Sequence, residues 1–514
     1  MKLLTLLASA SLALSPVAAL AQTPAPAPVS TAPAIPGVKN IIVIINDGAG
    51  YTVYDAARLY LGHNLVTDGP AFRQIGVSTY PLRPDSSANN RPQLNGTGKN
   101  QDPSTVYSSA RFWDTTPVAG PSTAAGYQSY PAGFRGYEFS RFAHPDSGNT
   151  ASSLASGVRT YNNAINVDGE GASQTAITDI IFAANQVGKS AGVVTTVQFS
   201  DATPAALGGA HNVARANRTA IAAEMFRTNH LQVIGGAGNP DYDDDGNRVA
   251  TPVYEWIGQQ HWLDLKNGTN LSGNNALRWP LLQTRDQIEA LANNRSGKPP
   301  VRVAMIGRGF NGLNFYRAGV DTNPQNPHTK EPFTDPARTD VPTLATLSRA
   351  ALNVLGQNGR GFYLMIEAGS VDRAEHANDT GRLIEESIES DNTVQAVIDW
   401  VNRPDTAATW DDTLLIVTAD HDHLLYGPDG ATVPFQPLQD RGAGHMPGNR
   451  WFGPNHGTGL VPLYAYGRGA DQIAALATEV DSYTDGQGRT FGHGRYVNQT
   501  VLGEVLKATA AQAR

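Results

Sequence analysis

The stretch from Phe362 to His376 places the tightest constraint on how this chain can fold. Phe362-Tyr363-Leu364-Met365-Ile366, led in by Gly361, is a short uninterrupted apolar run, the pattern of a strand buried on both faces within a parallel sheet. Glu367 falls at its carboxyl end, and Asp372 and His376 follow four residues apart at the start of a predicted helix. Residues at i and i+4 share one helical face, so both side chains can reach a single cation. A capped helix carrying a surface histidine is the other reading of that spacing.

Other apolar runs end in the same way. Lys39 to Asn46 closes on Asp47-Gly48-Ala49-Gly50, where a turn aspartate is the alternative. Ser190 to Val197 is followed by Ser200-Asp201-Ala202-Thr203, then by His211 and Arg215. Thr413 to Thr418 leads into Ala419-Asp420-His421-Asp422-His423, and Asn455-His456-Gly457-Thr458-Gly459 precedes the run Leu460 to Tyr466. Leu231 to Gly236 and Val301 to Ile306 read as further strands, and Gly381 to Val401 has helical periodicity. These patterns predict an α/β fold with a mostly parallel central sheet flanked by helices. In such sheets ligands bind beyond the carboxyl ends of the strands, and those ends share one edge.

Composition narrows what can gather at that edge. The chain has no cysteine, which excludes thiolate ligands, disulfides and a cysteine nucleophile, so any zinc must be held by His, Asp and Glu. Met1 to Ala21 carries one basic residue, Lys2, an apolar stretch from Leu3 to Leu14 and a small-x-small end at Ala19-Leu20-Ala21, the plan of a cleaved secretory signal. That predicts a periplasmic or secreted protein. Its apolar core is too short to span a bilayer, and no later run reaches about 18 apolar residues, so no membrane span is predicted. Loss of Lys2 takes the formal charge from −8 to −9, which argues against a nucleic-acid-binding surface. An acidic protein acting on anionic substrates needs cations at its site.

Gln22 to Gly37 is a Pro/Ala-rich leader, and residues 38–514 read as one catalytic domain. Two irregular insertions, about 82–131 and about 254–343, are rich in Pro, Asn and Gly; the second is read as a cap or crown on the main sheet. Asp241-Tyr242-Asp243-Asp244-Asp245-Gly246 has the D-x-D-x-D-G start of a calcium loop. Its twelfth position is Pro252 rather than Glu, leaving calcium at Asp241, Asp243 and Asp245 or an ordinary acidic turn as the two readings. Thr150 to Ser156 suits a tightly packed helix with Asp146 or Ser147 at its N-terminus. A hydroxyl there feels the positive end of the helix dipole, which favours an alkoxide and a bound phosphate; a simple N-cap is the commoner use.

Acids and imidazoles converging without cysteine suit zinc and magnesium, and a nearby Ser with an Arg suggests phosphoryl transfer. At this point the chain resembles the alkaline phosphatase family. The resemblance rests on N-D-G-A-G at 46–50, D-S-G-N-T-A-S at 146–152, G-V-R-T-Y-N at 157–162, D-A-T-P-A-A-L at 201–207, E-A-G-S-V-D-R-A-E-H at 367–376, T-A-D-H-D-H at 418–423 and H-G-T-G at 456–459. These occur in the family's order and span about 40–510 apart from the insertions.

The resemblance implies hydrolysis of phosphate monoesters through a phosphoserine, a possible homodimer, and a site with two zinc ions and one magnesium. By position it implies Asp372, His376 and His456 on one zinc, and Asp420 and His421 on the second. Asp47 would bridge that second zinc to a magnesium also held by Thr203 and Glu367. Ser147 would be the nucleophile and Arg215 the phosphate clamp, with Asp146, Asp201 and Arg373 orienting substrate and His423 orienting a ligand. Gly148, Asn149 and Ser152 depart from the family's usual residues beside the nucleophile, and the disulfides of bacterial members cannot form here. A metal-dependent phosphodiesterase on the same scaffold is the main rival. A formylglycine sulfatase is disfavoured without cysteine, and a non-catalytic zinc or phosphate binder has no need of the hydroxyl.

Overall fold

A computed structural model describes residues 32–83, 101–121, 132–169, 178–227, 230–269, 278–295, 297–428 and 433–513. The signal segment 1–21, residues 22–31 of the leader and much of the first insertion lie outside the described residues. The chain enters the sheet through β1 (Asn40–Asn46) and, after the helix Tyr51–Leu61, through β2 (Arg73–Ser78). A small antiparallel ribbon of β3 (Pro117–Pro121) and β4 (Ala132–Phe134) stands apart from it. β5 (Ser190–Gln198), β6 (Val233–Ala237), β7 (Leu281–Leu282), β8 (Val303–Ile306), β9 (Phe362–Ala368) and β10 (Thr413–Thr418) follow. A separate hairpin, β11 (Asp422–Tyr426) with β12 (Arg450–Gly457), precedes β13 (Val461–Gly467), β14 (Glu479–Thr484) and β15 (Thr490–Asn498).

Eleven of these strands form one sheet in the order β14-β15-β2-β13-β10-β1-β9-β5-β6-β8-β7. From β10 to β7 every neighbouring pair is parallel, and antiparallel pairing enters only around β13 and β14. Every residue of β1, β9 and β10 is buried, because helices cover both faces, and that double burial is why the three strands read as unbroken apolar runs. The second insertion is less detached than a cap: β7 and β8 extend the main sheet at its far edge. Beyond them, residues 307–343 run without helix or strand until the helix Leu344–Leu355.

Two packing details position the site. All ten residues of the helix Ser147–Ser156 are buried, and its small side chains let the helix Gln499–Ala510 come so close that a Cβ on Gly503 would meet the Ser153 carbonyl at 2.4 Å. The parallel strands β1, β9 and β5 lie side by side in matched register, so Glu367, near the carboxyl end of β9, shares one sheet edge with Asp47 and Asp201, which follow β1 and β5.

Candidate active site

The site assembles from four of these strand ends and from the β11–β12 hairpin. Asp372 and His376 lie on the short helix Ser370–His376 that follows β9 directly. His423 on β11 and His456 on β12 face each other in the hairpin register. Asp372 Oδ1 is the hub: His423 Nε2 lies 3.1 Å from it, His456 Nε2 3.2 Å and His376 Nε2 3.3 Å. Two of these rings are aimed by backbone carbonyls. His376 Nδ1 is 2.6 Å from the Pro454 oxygen and His456 Nδ1 is 2.8 Å from the Pro145 oxygen, which leaves each Nε2 lone pair turned towards the hub.

A second cluster adjoins the first. His421 Nε2 lies 3.3 Å from Asp420 Oδ2 and 3.5 Å from Asp47 Oδ1, and its ring stacks on His456 with centroids 3.6 Å apart. Asp372, His421, His423 and His456 can offer ligand atoms within 4.8 Å of one another, and so can Asp47, Asp420 and His421. His421 therefore belongs to both groups. Behind them Glu367 accepts from Thr195 Oγ1, and Thr203, on the helix Ala202–Leu207, is buried beside it.

The electrostatics of this cluster fit bound cations. Burial pushes the Asp47 carboxyl well above its ordinary range, and the negative charges of Asp420, Asp372 and Glu367 push it further. Asp47 Oδ1 is buried with no hydrogen-bond donor. Burial also raises Glu367, to about 7. For Asp372 burial is outweighed by its imidazole neighbours, His376 foremost, and its carboxyl is held well below the usual value. Burial, then His456, drives His421 well below the imidazole range, so its ring is neutral and its lone pair is available. Several buried carboxylates in mutual repulsion beside imidazoles form a donor set of oxygen and nitrogen ligands suited to divalent metals.

Ser147 opens the helix Ser147–Ser156 and is 2% exposed. Asp146 is the N-cap, accepting from Asn149 N at 3.0 Å and from Asn163 N at 2.9 Å. Ser147 Oγ stands 3.3 Å from His421 Nε2, at the positive end of the helix and beside the second cluster. Arg215 donates from Nη1 to Asp146 Oδ2 at 3.0 Å and from Nη2 to Asp201 Oδ1 at 2.9 Å. Arg373 donates to the other oxygen of Asp201. Burial would raise the Asp201 carboxyl, but Arg215 and then Arg373 outweigh it and hold it at about 2.

Asp47, Asp146, Ser147, Asp201, Thr203, Arg215, Glu367, Asp372, Arg373, His376, Asp420, His421, His423 and His456 come together in one assembly, whereas His211 pairs with Asp179 and Glu224; one arrangement differs, and the acidic turn stands apart. His423 points its Nε2 at Asp372 Oδ1 as closely as His376 and His456 do, rather than standing behind a ligand. At the acidic turn, Asp241, Asp243 and Asp245 are not among the groups of converging ligand atoms found in the described residues. Asp241 pairs with Lys266 Nζ at 3.0 Å, Asp243 accepts from Asn247 N at 2.8 Å, and Asp245 accepts from Ala318 N at 2.7 Å, so protein donors already occupy these carboxylates.

Sequence reasoning passed over Glu375 and Asp422. Glu375 is fully buried with neither carboxylate oxygen hydrogen-bonded, and its Oε2 lies 3.6 Å from His423 Nε2. Asp422 accepts from Gly459 N at 2.8 Å, and burial raises it to about 7. Their only sequence signal is adjacency to His376 and His421 inside motifs already noted.

Comparison with known proteins agrees with this geometry. A family model described as Alkaline phosphatase matches residues 126–237 and 320–488, together more than half of the chain. The alkaline phosphatase of Escherichia fergusonii is 28% identical over 360 residues, covering 66% of this chain and 72% of that protein. Alkaline phosphatase H of Pseudomonas aeruginosa is 27% identical over 365 residues, 66% of this chain and 71% of its own length. Among solved structures, alkaline phosphatase from the Antarctic bacterium TAB5 covers 92% of this chain and 99% of its own, with TM-score 0.55 and 17% identity. The Thermus thermophilus enzyme covers 95% of this chain and 94% of its own, also with TM-score 0.55 and 17% identity. Two variants of the TAB5 enzyme, with TM-scores of 0.53 and 0.52 and identities of 17% and 18%, were solved with magnesium bound.

Proposed function

We propose, from the premise that this chain belongs to the alkaline phosphatase family and is a phosphoric monoester hydrolase, that Ser147 is its nucleophile at a site for two zinc ions and one magnesium. Asp372, His376 and His456 would hold one zinc, and Asp420 and His421 the second. Asp47 would join that second ion to a magnesium also held by Thr203 and Glu367. When bound, such ions supply the positive charge that lowers the serine pKa and stabilises the oxygens of an in-line displacement.

The chain's own residues do the positioning. The observation that carries the reading is Ser147 Oγ, buried at a helix N-terminus and 3.3 Å from His421 Nε2. From there it attacks phosphorus as the bond to the leaving alcohol breaks, and water later hydrolyses the phosphoserine. Helix N–H groups face the developing charge. Arg215, braced by Asp146 and Asp201, turns its remaining N–H donors to two non-bridging phosphate oxygens. Asp201 in turn fixes Arg373 beside Asp372.

Met1 to Ala21 directs export in this reading, so mature protein recovered outside the cytoplasm should begin at Gln22. The decisive experiment is turnover of a chromogenic phosphate monoester and of the matching diester, with and without added zinc. Zinc-dependent preference for the monoester supports the proposal. Preference for the diester would move the assignment to phosphodiesterase, and zinc uptake without turnover would make the protein a binder.

A further inference from the structure

The segment G-V-R-T-Y-N at 157–162 takes no part in the chemistry above, yet the turn that ends it touches three parts of the site. Asn162 is buried, and both ends of its side-chain amide are used. Its Nδ2 donates to the His144 carbonyl at 3.2 Å. Its Oδ1 accepts from Asp146 N at 3.2 Å, an N–H it shares with Asn149 Oδ1 at 3.1 Å. These partners fix which way the amide faces, because a carbonyl can only accept and a backbone N–H can only donate. One side chain thus grips the backbone on both sides of Pro145. Proline has no N–H of its own to anchor it, so its neighbours set how its carbonyl points. That carbonyl is the one that meets His456 Nδ1 at 2.8 Å. His144 Nδ1 lies 3.2 Å from the same oxygen, and its ring stands edge-on to His456 with centroids 6.0 Å apart.

The next residue extends the grip to the phosphate clamp. Asn163 N donates to Asp146 Oδ1 at 2.9 Å, and its carbonyl accepts from Arg215 N at 2.7 Å. Its φ of 73° lies in the left-handed region, which asparagine occupies more readily than most residues. Contacts on either side hold the turn against the segment that carries Arg215. Tyr161 Oη donates to the Val213 carbonyl at 2.8 Å, and Ile165 and Asn212 exchange two backbone hydrogen bonds of 2.8 Å. The nucleophile's N-cap, the clamp and the carbonyl that aims His456 therefore share one bracket at 161–165.

We infer that Asn162 is a positioning residue that sets the aim of His456 and the start of the Ser147 helix together, through the Pro145 backbone that lies between them. Without its grip the stretch His144–Asp146 can turn, and His456 Nε2 loses its fixed direction towards the Asp372 hub. The kinetic part of the inference rests on the phosphatase reading, whereas its zinc-binding part does not need turnover. Chelator-competition titrations of the metal-free protein should show one of two zinc ions held roughly ten- to a hundred-fold more weakly in Asn162→Ala, the usual effect of removing a group that orients a metal ligand. Asn162→Asp has nearly the same shape and keeps an acceptor for Asp146 N but offers no donor to the His144 carbonyl, so it should lose zinc affinity as well. With zinc in excess, kcat for 4-nitrophenyl phosphate should fall further in Asn162→Ala than in Asn162→Asp. KM and inhibition by inorganic phosphate should stay near wild type, because Arg215 keeps its contacts to Asp146 Oδ2 and Asp201. A side chain that only stabilised the fold would lower the melting temperature of the metal-free protein and leave the zinc affinity of the folded protein unchanged. Zinc affinity equal to wild type in both variants, or loss of the metal-free fold in both, overturns the inference alone. Wild type that takes up zinc but turns over no ester overturns the phosphatase reading and the kinetic part, and the zinc titrations then decide the role of Asn162. Wild type that binds no zinc overturns both.

Discussion

Replacing Arg215 is the sharpest test of how the site holds phosphate. Its guanidinium uses one N–H on Asp146 Oδ2 and one on Asp201 Oδ1, leaving three of five donors for substrate. Asp201 keeps Arg373 when Arg215 is removed, and Asp146 keeps the Asn149 and Asn163 amides, so the fold around Ser147 should survive Arg215→Ala. The loss is then mainly that of charge-assisted hydrogen bonds to phosphate, at about 1.5–3 kcal/mol for one unreplaced by water. That corresponds to a fall in monoester kcat/KM of roughly ten-fold to a few hundred-fold. A diester has already committed one oxygen to its second alcohol and gains less from the fork, so its turnover should fall much less. Arg215→Lys should recover only part of the loss, because an ammonium cannot bridge two oxygens in a plane. Parallel kinetics on a monoester and a diester read the outcome. An equal factor on both substrates would refute the clamp.

Three further outcomes follow from the same geometry. Chelation should abolish turnover and lower the melting temperature, with zinc plus magnesium restoring both; because burial raises Glu367 to about 7, the metal-free protein binds extra protons and should lose stability as pH rises from about 4.5 through 7, a slope that bound metals remove. Asp201 behaves oppositely: its carboxyl is held at about 2, so the stability it contributes is present above about pH 4 and lost as pH falls through about 2, and denaturant titrations of Asp201→Asn should lack that acid limb. Gly48→Ala should lower the melting temperature and weaken metal retention, since Gly48 has φ of 82° and its new Cβ would stand 1.9 Å from Glu375 Oε2; an unchanged melt would mean that Glu375 swings aside freely.

Much of the sheet was legible because its central strands are buried on both faces. Continuous apolar runs at Asn40–Asn46, Phe362–Ala368 and Thr413–Thr418 have few other uses. The edges were harder. β7 is two residues long, and β14 is mostly exposed, so neither leaves a periodic signature. Within the site, residues directly past a strand end were readable, whereas His423 was not assignable to the hub. Its approach to Asp372 depends on the β11–β12 hairpin folding back over the helix Ser370–His376. The carbonyls of Pro145 and Pro454, which aim His456 and His376, are backbone atoms that any residue could have supplied, so no sequence pattern marks them.

The acidic turn at 241–245 shows why motif and site are separate statements. A calcium loop and a loop brace ask for the same side chains, carboxylates close together on a turn closed by glycine, and sequence spacing cannot tell which donors will arrive. Here they come from Lys266, Asn247, Phe310, Asn311 and Ala318, most of them far along the chain. In the structure the carboxylates of this turn are met by protein donors that brace the loop. At Asp47, Glu367 and Asp420 the balance is reversed. Burial and mutual repulsion outrun the protein donors supplied, and the remaining electrostatic deficit is what a bound cation offsets. The sequence distinction between the two acidic groups lies in their surroundings: one sits in an irregular polar stretch rich in donors, the other at the ends of apolar strands where donors are scarce.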